Sequence, residues 1–157
     1  MKSLIVFVSH HGTTANVASQ IAGRIGNAEI MDLRKHPNPD LSPYDCIILG
    51  ASIHAGKISG RMRNFMRNNM VTLLNKKLGI FLCCMNEPSF KAQLEANFPE
   101  VLRLHSSTNR VVGGEFLFDR MSFFEKWIVR KISGIHETTS NLLPEAIQGF
   151  IHDLKQA

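Results

Sequence analysis

The 157-residue sequence has few of the features that mark secreted or membrane-embedded proteins. It contains three cysteines and no Cys-x-x-Cys pair, so neither a disulfide framework nor a dithiol redox centre is expected. It has no apolar signal segment and no run of about 18 apolar residues, which predicts a cytoplasmic protein that does not span a membrane. Tyr44 is its only tyrosine and Trp127 its only tryptophan, so nearly all of its aromatic residues are phenylalanines, of which there are ten.

Two common phosphate-binding motifs are also missing. The sequence has no Gly-x-x-x-x-Gly-Lys-Ser/Thr and no Gly-x-Gly-x-x-Gly, which argues against a transferable phosphate and a dinucleotide pyrophosphate. Instead, a short apolar run is joined to an amphipathic helical pattern by a turn made of Ser9, His10, His11, Gly12, Thr13 and Thr14. Free amides at a helix N-terminus and nearby hydroxyls suit a monophosphate. The alternative, that Ser and Thr only cap the helix, fits the turn equally well.

Apolar runs alternate with helical patterns along the chain. Strands are predicted at residues 2–8, 28–32, 46–50, 78–84 and 110–116. Helical faces are predicted from three apolar sets: Val17, Ala18, Ile21, Ala22 and Ile25; Met62, Phe65, Met66, Leu73 and Leu74; Ala146, Ile147, Phe150, Ile151 and Leu154. A less regular helix, interrupted by Pro99, is predicted over residues 90–104, and Pro144 fits the first turn of the last helix.

This alternation predicts one α/β domain over residues 1–157. Strands that are apolar on both sides indicate a five-stranded, doubly wound parallel sheet covered by helices on both faces. Ligands of such sheets bind beyond the carboxyl ends of the strands, near the point where the strand order reverses. The loops expected there are residues 9–14, 51–57 and 85–89.

At these residues the chain resembles the flavodoxins, whose FMN phosphate is held by a loop of the type Ser/Thr-x-Thr-Gly-x-Thr. Ser9, Gly12, Thr13, Thr14 and Asn16 match the flavodoxin loop, and His11 stands where a threonine is usual. The resemblance covers the whole chain and implies a three-layer flavodoxin-like sandwich with strand order 2-1-3-4-5. It also implies FMN as the cofactor.

A more specific resemblance is to the menaquinone-dependent protoporphyrinogen oxidase branch of that family. It is carried by residues 48–57, Ile-Leu-Gly-Ala-Ser-Ile-His-Ala-Gly-Lys, and by residues 118–132, an added segment before the last helix. It implies oxidation of a porphyrinogen at the flavin, with a quinone as acceptor. Lys57, Arg61 and Arg63 are candidates to receive the porphyrin propionates. The alternatives are an electron carrier that serves protein redox partners and a flavin-free interaction module.

The resemblance also assigns flavin contacts to the other two loops. Small residues let the backbone approach the ring edge, which gives a second set of contacts: Ala51, Ser52, Ile53, His54, Ala55 and Gly56. The opposite wall is expected from Met85, Asn86 and Glu87. Alternatively, Gly56 only closes a turn.

His54 has two interpretations. Beside a reduced flavin it is a candidate catalytic residue, as a proton donor or acceptor; the alternative is an exposed loop histidine with no catalytic part. His10 and His11 are expected to point apart, and no metal site is predicted.

Charge separates this chain from the flavodoxins it resembles, which are strongly acidic. Eighteen Lys and Arg against thirteen Asp and Glu give a net charge of +5, and the sequence pI is about 9.4. A basic surface favours the binding of acidic proteins, anionic lipids or substrates that carry carboxylates. Nucleic acid is not predicted as a partner, because the cations are scattered and no recognised motif accompanies them.

The added segment, at about residues 119–134, contains an amphipathic helical pattern over residues 121–132. Met121, Phe124, Ile128 and Ile132 share one face, which Phe123 and Trp127 widen, and Lys126, Arg130 and Lys131 supply the cations. One interpretation is a helix that lies peripherally in a membrane interface. The other is a helix whose apolar face packs against the sheet edge or a second subunit.

Overall fold

A computed structural model describes residues 1–116, 120–133 and 138–157. Its main sheet has five strands: β1 (Ser3–Phe7), β2 (Ala28–Asp32), β3 (Cys46–Ser52), β4 (Lys77–Cys83) and β5 (Thr108–Val111). They pair in parallel in the order β2-β1-β3-β4-β5. The predicted doubly wound sheet and its order are confirmed.

Seven helices accompany the sheet in the described parts of the chain. They are α1 (Thr13–Ile25), α2 (Gly60–Asn68), α3 (Met70–Leu74), α4 (Phe90–Asn97), α5 (Glu100–His105), α6 (Phe123–Ser133) and α7 (Pro144–Gln156). Val17 and Ile21 of α1 pack with Phe150 of α7 on one face of the sheet. Met62 of α2 and Leu102 of α5 belong to the core on the other face. The apolar strands are therefore covered on both sides, as predicted.

The predicted strand over residues 110–116 is wrong in its extent. The fifth strand ends at Val111, and a separate strand, β6 (Gly113–Phe116), pairs antiparallel with β7 (Thr139–Leu142) in a two-stranded sheet. Gly113 has a φ of +78°, a left-handed conformation that turns the chain away from the main sheet. The chain returns at Leu143, whose amide donates to the Val112 carbonyl at 2.9 Å. We call residues 113–142 the excursion.

The second predicted helix is divided in two. Its apolar residues lie on α2 and α3, which are separated at Asn69, and the Asn69 side chain donates to the Phe65 carbonyl at 2.9 Å. Asn69 therefore covers a carbonyl at the end of α2. The irregular helix over residues 90–104 is interrupted as predicted, with Pro99 between α4 and α5.

The three cysteines are buried, and none of them forms a disulfide bond. Burial raises the pKa of Cys46 to about 11 and that of Cys83 to about 12. Thiols with such pKa values carry almost no thiolate at neutral pH, so they act as small apolar residues of the core.

Candidate functional site

The amino end of α1 is buried and has no side-chain cap. Gly12 precedes the helix with a φ of +100°, and its own amide donates to Ser9 Oγ at 3.0 Å. Ser9 is 3% exposed and Thr14 only 1%. The first amides of a helix have no intrahelical acceptor, and here they lie at two buried threonines with no acidic residue in the first helical turn. Such an end is suited to binding an anion.

A carboxylate from the excursion reaches this turn. The Thr13 hydroxyl donates to Glu115 Oε2 at 3.0 Å, and the Ser140 hydroxyl donates to Glu115 Oε1 at 2.9 Å. Glu115 therefore joins β6 and β7 to the start of α1. It also adds a negative charge near the uncapped amides.

A cation from the excursion reaches the same turn. Arg120 Nη1 donates to the His11 carbonyl at 3.1 Å, and His11 Nδ1 donates to the Arg120 carbonyl at 2.9 Å. His11 Nε2 also lies 3.5 Å from Glu125 Oε1. A Cβ atom at Gly12 would overlap the Arg120 guanidinium, so the side chain lies directly against the glycine.

Three imidazole rings meet beside the turn. The His54 ring centroid lies 5.7 Å from that of His10 and 5.8 Å from that of His11, and the latter two are 6.4 Å apart. The expectation that His10 and His11 point apart is wrong, because both rings lie against His54. We call these residues the histidine cluster. In the described part of the chain, no three His, Cys, Asp or Glu side chains are arranged to hold a metal ion.

Protonation of the cluster is disfavoured. Desolvation lowers the pKa of His54, and the charges of His10 and His11 lower it further. Desolvation is also the largest cause of the lowered pKa of His10, and the charges of Arg34 and His11 lower that pKa further. Both rings are therefore predominantly neutral at pH 7, although they remain partly exposed.

His54 belongs to a tight turn at the end of β3. The His54 and Lys57 amides donate to each other's carbonyls at 2.9 and 3.1 Å, and His54 Nε2 shares a 3.1 Å hydrogen bond with Ser52 Oγ. Ala55 and Gly56 between them have positive φ values of 50° and 76°. Gly56 thus does close a turn, of the kind that requires left-handed backbone at both central residues.

Asn97, a buried side chain from the end of α4, holds this turn. Its Oδ1 accepts from the Ile58 amide at 2.9 Å, and its Nδ2 donates to the Gly56 carbonyl at 3.2 Å. The turn therefore has a fixed backbone although its tip is exposed. Its conformation depends on a residue about 40 positions away.

The third predicted loop, Met85, Asn86 and Glu87, is anchored at its start and closed by a local turn at its end. The Cys84 amide before it donates to the Gly113 carbonyl at 2.8 Å, and the Ser89 amide after it donates to the Asn86 carbonyl at 3.1 Å. The neighbouring Cys83 carbonyl accepts from the Ile53 amide at 3.0 Å. The second and third loops are thus joined at their bases.

Neither Tyr44 nor Trp127 lines these loops. Tyr44 is buried, and its hydroxyl donates to Glu29 Oε2 at 2.9 Å. Trp127 lies on α6, stacked on Phe124 with the ring centroids 6.2 Å apart and with Lys131 Nζ 4.8 Å from its ring centroid.

The start of α6 lies next to the turn, and its apolar side chains are open to solvent. Phe123 is 83% exposed, Phe124 66% and Trp127 49%, so the described chain does not bury these three. Residues 119 and 134, the limits of the predicted segment, lie outside the described residues, as do residue 118 and the side chain of Ile132. Within the described chain no helix has the length and apolarity needed to cross a bilayer.

The sequence did not identify Glu115, Arg120, Glu125 or Asn97 as parts of this site. Each comes from a segment distant along the chain, and none belongs to a motif that spacing reveals. The resemblance of residues 118–132 to one flavodoxin branch was the only signal near three of them.

Comparison with known proteins agrees with this architecture. A family model described as Flavodoxin domain matches residues 4–142. Protoporphyrinogen IX dehydrogenase (quinone) of Escherichia coli (strain K12) is 21% identical over 143 residues, which cover 84% of this chain and 78% of that protein.

Two solved structures illustrate the likeness of fold. Rubredoxin oxygen:oxidoreductase from Desulfovibrio gigas has a TM-score of 0.61 and 15% identity over 99% of this chain, which spans only 36% of that protein. A Fusobacterium nucleatum flavodoxin bound to flavin mononucleotide has a TM-score of 0.54 and 15% identity, covering 99% of this chain and 98% of its own.

Proposed function

The chain belongs to the flavodoxin domain family, and from that premise we propose that it is an FMN-binding oxidoreductase. The observation that carries the proposal is the amino end of α1, where Thr13 and Thr14 are buried, no side chain caps the helix, and the first helical amides need an acceptor from outside the helix. A phosphate monoester meets that need. The flavodoxin of F. nucleatum, which shares the fold, binds FMN.

The flavin ring is proposed to lie against the other two loops. Ala55 and Gly56, next to His54, are small and exposed, and residues 85–87 form a second wall joined to the first at Cys83. FMN, when bound, would supply the transfer of hydride or single electrons. The chain would bind it, orient it and control the solvent and protons around it.

His54 is proposed to exchange a proton at its ring with the reacting partner. Its lowered pKa keeps the imidazole neutral near pH 7, so it is ready to accept a proton. Its hydrogen bond with Ser52 Oγ fixes the ring in the turn.

The proposed substrate is a porphyrinogen, with a quinone as electron acceptor. The support is the 21% identity to the E. coli dehydrogenase and the net charge of +5, which suits a substrate that carries carboxylates. Lys57, Arg61 and Arg63 follow the His54 turn and are exposed, so they are available to bind propionates. The exposed aromatic face of α6, next to the turn, is proposed to contact an anionic membrane in which a quinone is held.

The first test is FMN binding, measured by quenching of flavin fluorescence. Thr14→Val, which removes a buried hydroxyl at nearly constant volume, is expected to weaken FMN binding about tenfold. Thr108→Val is the matched control, since it removes a buried hydroxyl of β5 that donates to Asp153 at 3.2 Å. If the wild-type protein does not bind FMN, the proposal fails.

A second measurement separates an enzyme from an electron carrier. Under anaerobic conditions, the FMN-loaded protein is mixed with protoporphyrinogen and a menaquinone analogue. Formation of protoporphyrin supports the dehydrogenase. If no protoporphyrin forms, but the protein is reduced by a reductase and passes electrons to a protein acceptor, the protein is an electron carrier and not a dehydrogenase.

A further inference from the structure

The side chain of Arg120 lies at the amino end of α1. Its guanidinium covers Gly12 so closely that any Cβ atom there would overlap it, and Nη1 donates to the His11 carbonyl at 3.1 Å. Arg120 is 108 positions from Gly12 in the sequence, and the excursion brings it to the turn. Glycine at position 12 is thus required both by its φ of +100° and by the room the guanidinium takes.

The backbone of Arg120 is fixed at this position. His11 Nδ1 donates to the Arg120 carbonyl at 2.9 Å, so residues 11 and 120 are joined by two hydrogen bonds. Glu125, 3.5 Å from His11 Nε2, also accepts from the Ser122 amide at 2.8 Å. The start of α6 is therefore attached to the turn through main-chain and side-chain contacts.

The local charges leave the guanidinium available to an anion. Among the described residues, no carboxylate oxygen lies within 4.0 Å of the Arg120 guanidinium. Glu115, which accepts from the Thr13 hydroxyl, would repel a phosphate bound to the turn. A cation is needed to offset that repulsion, and a guanidinium can donate two parallel hydrogen bonds to phosphate oxygens.

We propose that Arg120 binds the phosphate group of FMN and makes the site selective for the phosphorylated flavin over riboflavin. The inference rests on the proposed function, because it takes FMN as the ligand of the turn. It assigns to the excursion a direct part in cofactor binding.

The test compares FMN with riboflavin, which has the same ring but no phosphate, by isothermal titration calorimetry. Arg120→Gln is expected to weaken FMN binding at least tenfold and to change riboflavin binding less than twofold. Arg120→Lys, which keeps the charge but loses the planar pair of donors, should fall between wild type and Arg120→Gln. Arg24→Gln is the control: it removes the same charge from the last turn of α1, about 16 Å from the phosphate-binding turn along the helix axis.

A phosphorus NMR measurement gives a second readout. The resonance of bound FMN should shift in Arg120→Gln and stay unchanged in Arg24→Gln. The inference is overturned if Arg120→Gln leaves FMN affinity within twofold of wild type, or if it weakens FMN and riboflavin equally, which would indicate a structural role. If the wild type binds neither flavin, or does not prefer FMN to riboflavin, the phosphate-binding turn itself is wrong and the proposed function fails with it.

Discussion

The histidine cluster shows how single residues acquire properties that their sequence neighbours do not reveal. His10 and His11 come from the turn after β1, and His54 comes from the turn after β3. Because β1 and β3 are adjacent parallel strands, their carboxyl ends bring the three rings together. Arg34 and Asp32 from the end of β2, and Glu125 from α6, are the other charged groups that act on them.

The lowered pKa values of His10 and His54 predict a pH dependence of stability. Below pH 6.5 the unfolded chain binds more protons than the native chain, so the free energy of unfolding should fall as the pH drops from 7.5 towards 5.5. Replacing both residues by Gln should reduce the accompanying fall in melting temperature, by on the order of 1 °C because the rings are partly exposed. Differential scanning calorimetry measures the effect.

His36→Gln is the control for this experiment, since His36 is exposed and lies outside the cluster. If the melting temperature falls equally with pH in the wild type and in the double variant, His10 and His54 do not cause the fall.

Some residues of the candidate site could be predicted from the sequence and others could not. The turn at Ser9 to Thr14 is local, so hydroxyls and a glycine between a strand and a helix were enough to predict it as a candidate anion site. Asn97, Glu115 and Arg120 reach the loops from remote segments, and their positions depend on tertiary packing that no local pattern encodes.

At the scale of secondary structure, buried elements were predicted best. The pattern of Val17, Ala18 and Ile21 gave α1, because a helix covered on one side must show the apolar period. The break after β5 was missed, since one glycine with a positive φ interrupts an apolar run without changing its composition. β7 was missed because its residues, Thr139–Leu142, are only partly buried and show little alternation.

The exposed face of α6 predicts binding to an anionic membrane. The double variant Phe124→Ser, Trp127→Ser should reduce binding to vesicles of mixed neutral and anionic lipids at least tenfold, because it removes two of the three large apolar side chains exposed on this helix. Cosedimentation with the vesicles measures this.

The matched control is Val71→Ser, Leu104→Ser, which removes two apolar side chains that are 73% and 77% exposed elsewhere on the surface. Vesicle binding that is unchanged in the α6 variant, or equally reduced in the control, would count against a membrane-facing role for this helix.

At the scale of the whole molecule, the strand order brings the loops after β1, β3 and β4 to one edge of the sheet. Alternating buried strands and helices, with the right-handed connection that parallel strands adopt, predict the doubly wound parallel sheet, and the resemblance to the flavodoxins implies its order. That is why the architecture could be predicted from the sequence although the contents of the excursion could not.

A ligand bound across these loops should stabilise the entire domain. If FMN binds only the folded chain, a concentration one hundred times its dissociation constant adds about 2.7 kcal/mol to the free energy of unfolding and raises the melting temperature by about 5–10 °C. Adenosine monophosphate, which has a phosphate but a different ring, should have a smaller effect. A melting temperature that does not change with FMN concentration would contradict binding to the native state.

The hydrogen bond between Val112 and Leu143 has a consequence for how such proteins diversify. The thirty residues between them leave the main sheet and come back to nearly the same place, so their number can change without displacing β5 or α7. Since those residues carry Glu115, Arg120 and α6, insertions, deletions or exchange with a relative at this position would change the groups that contact the start of α1 while the main sheet stays intact.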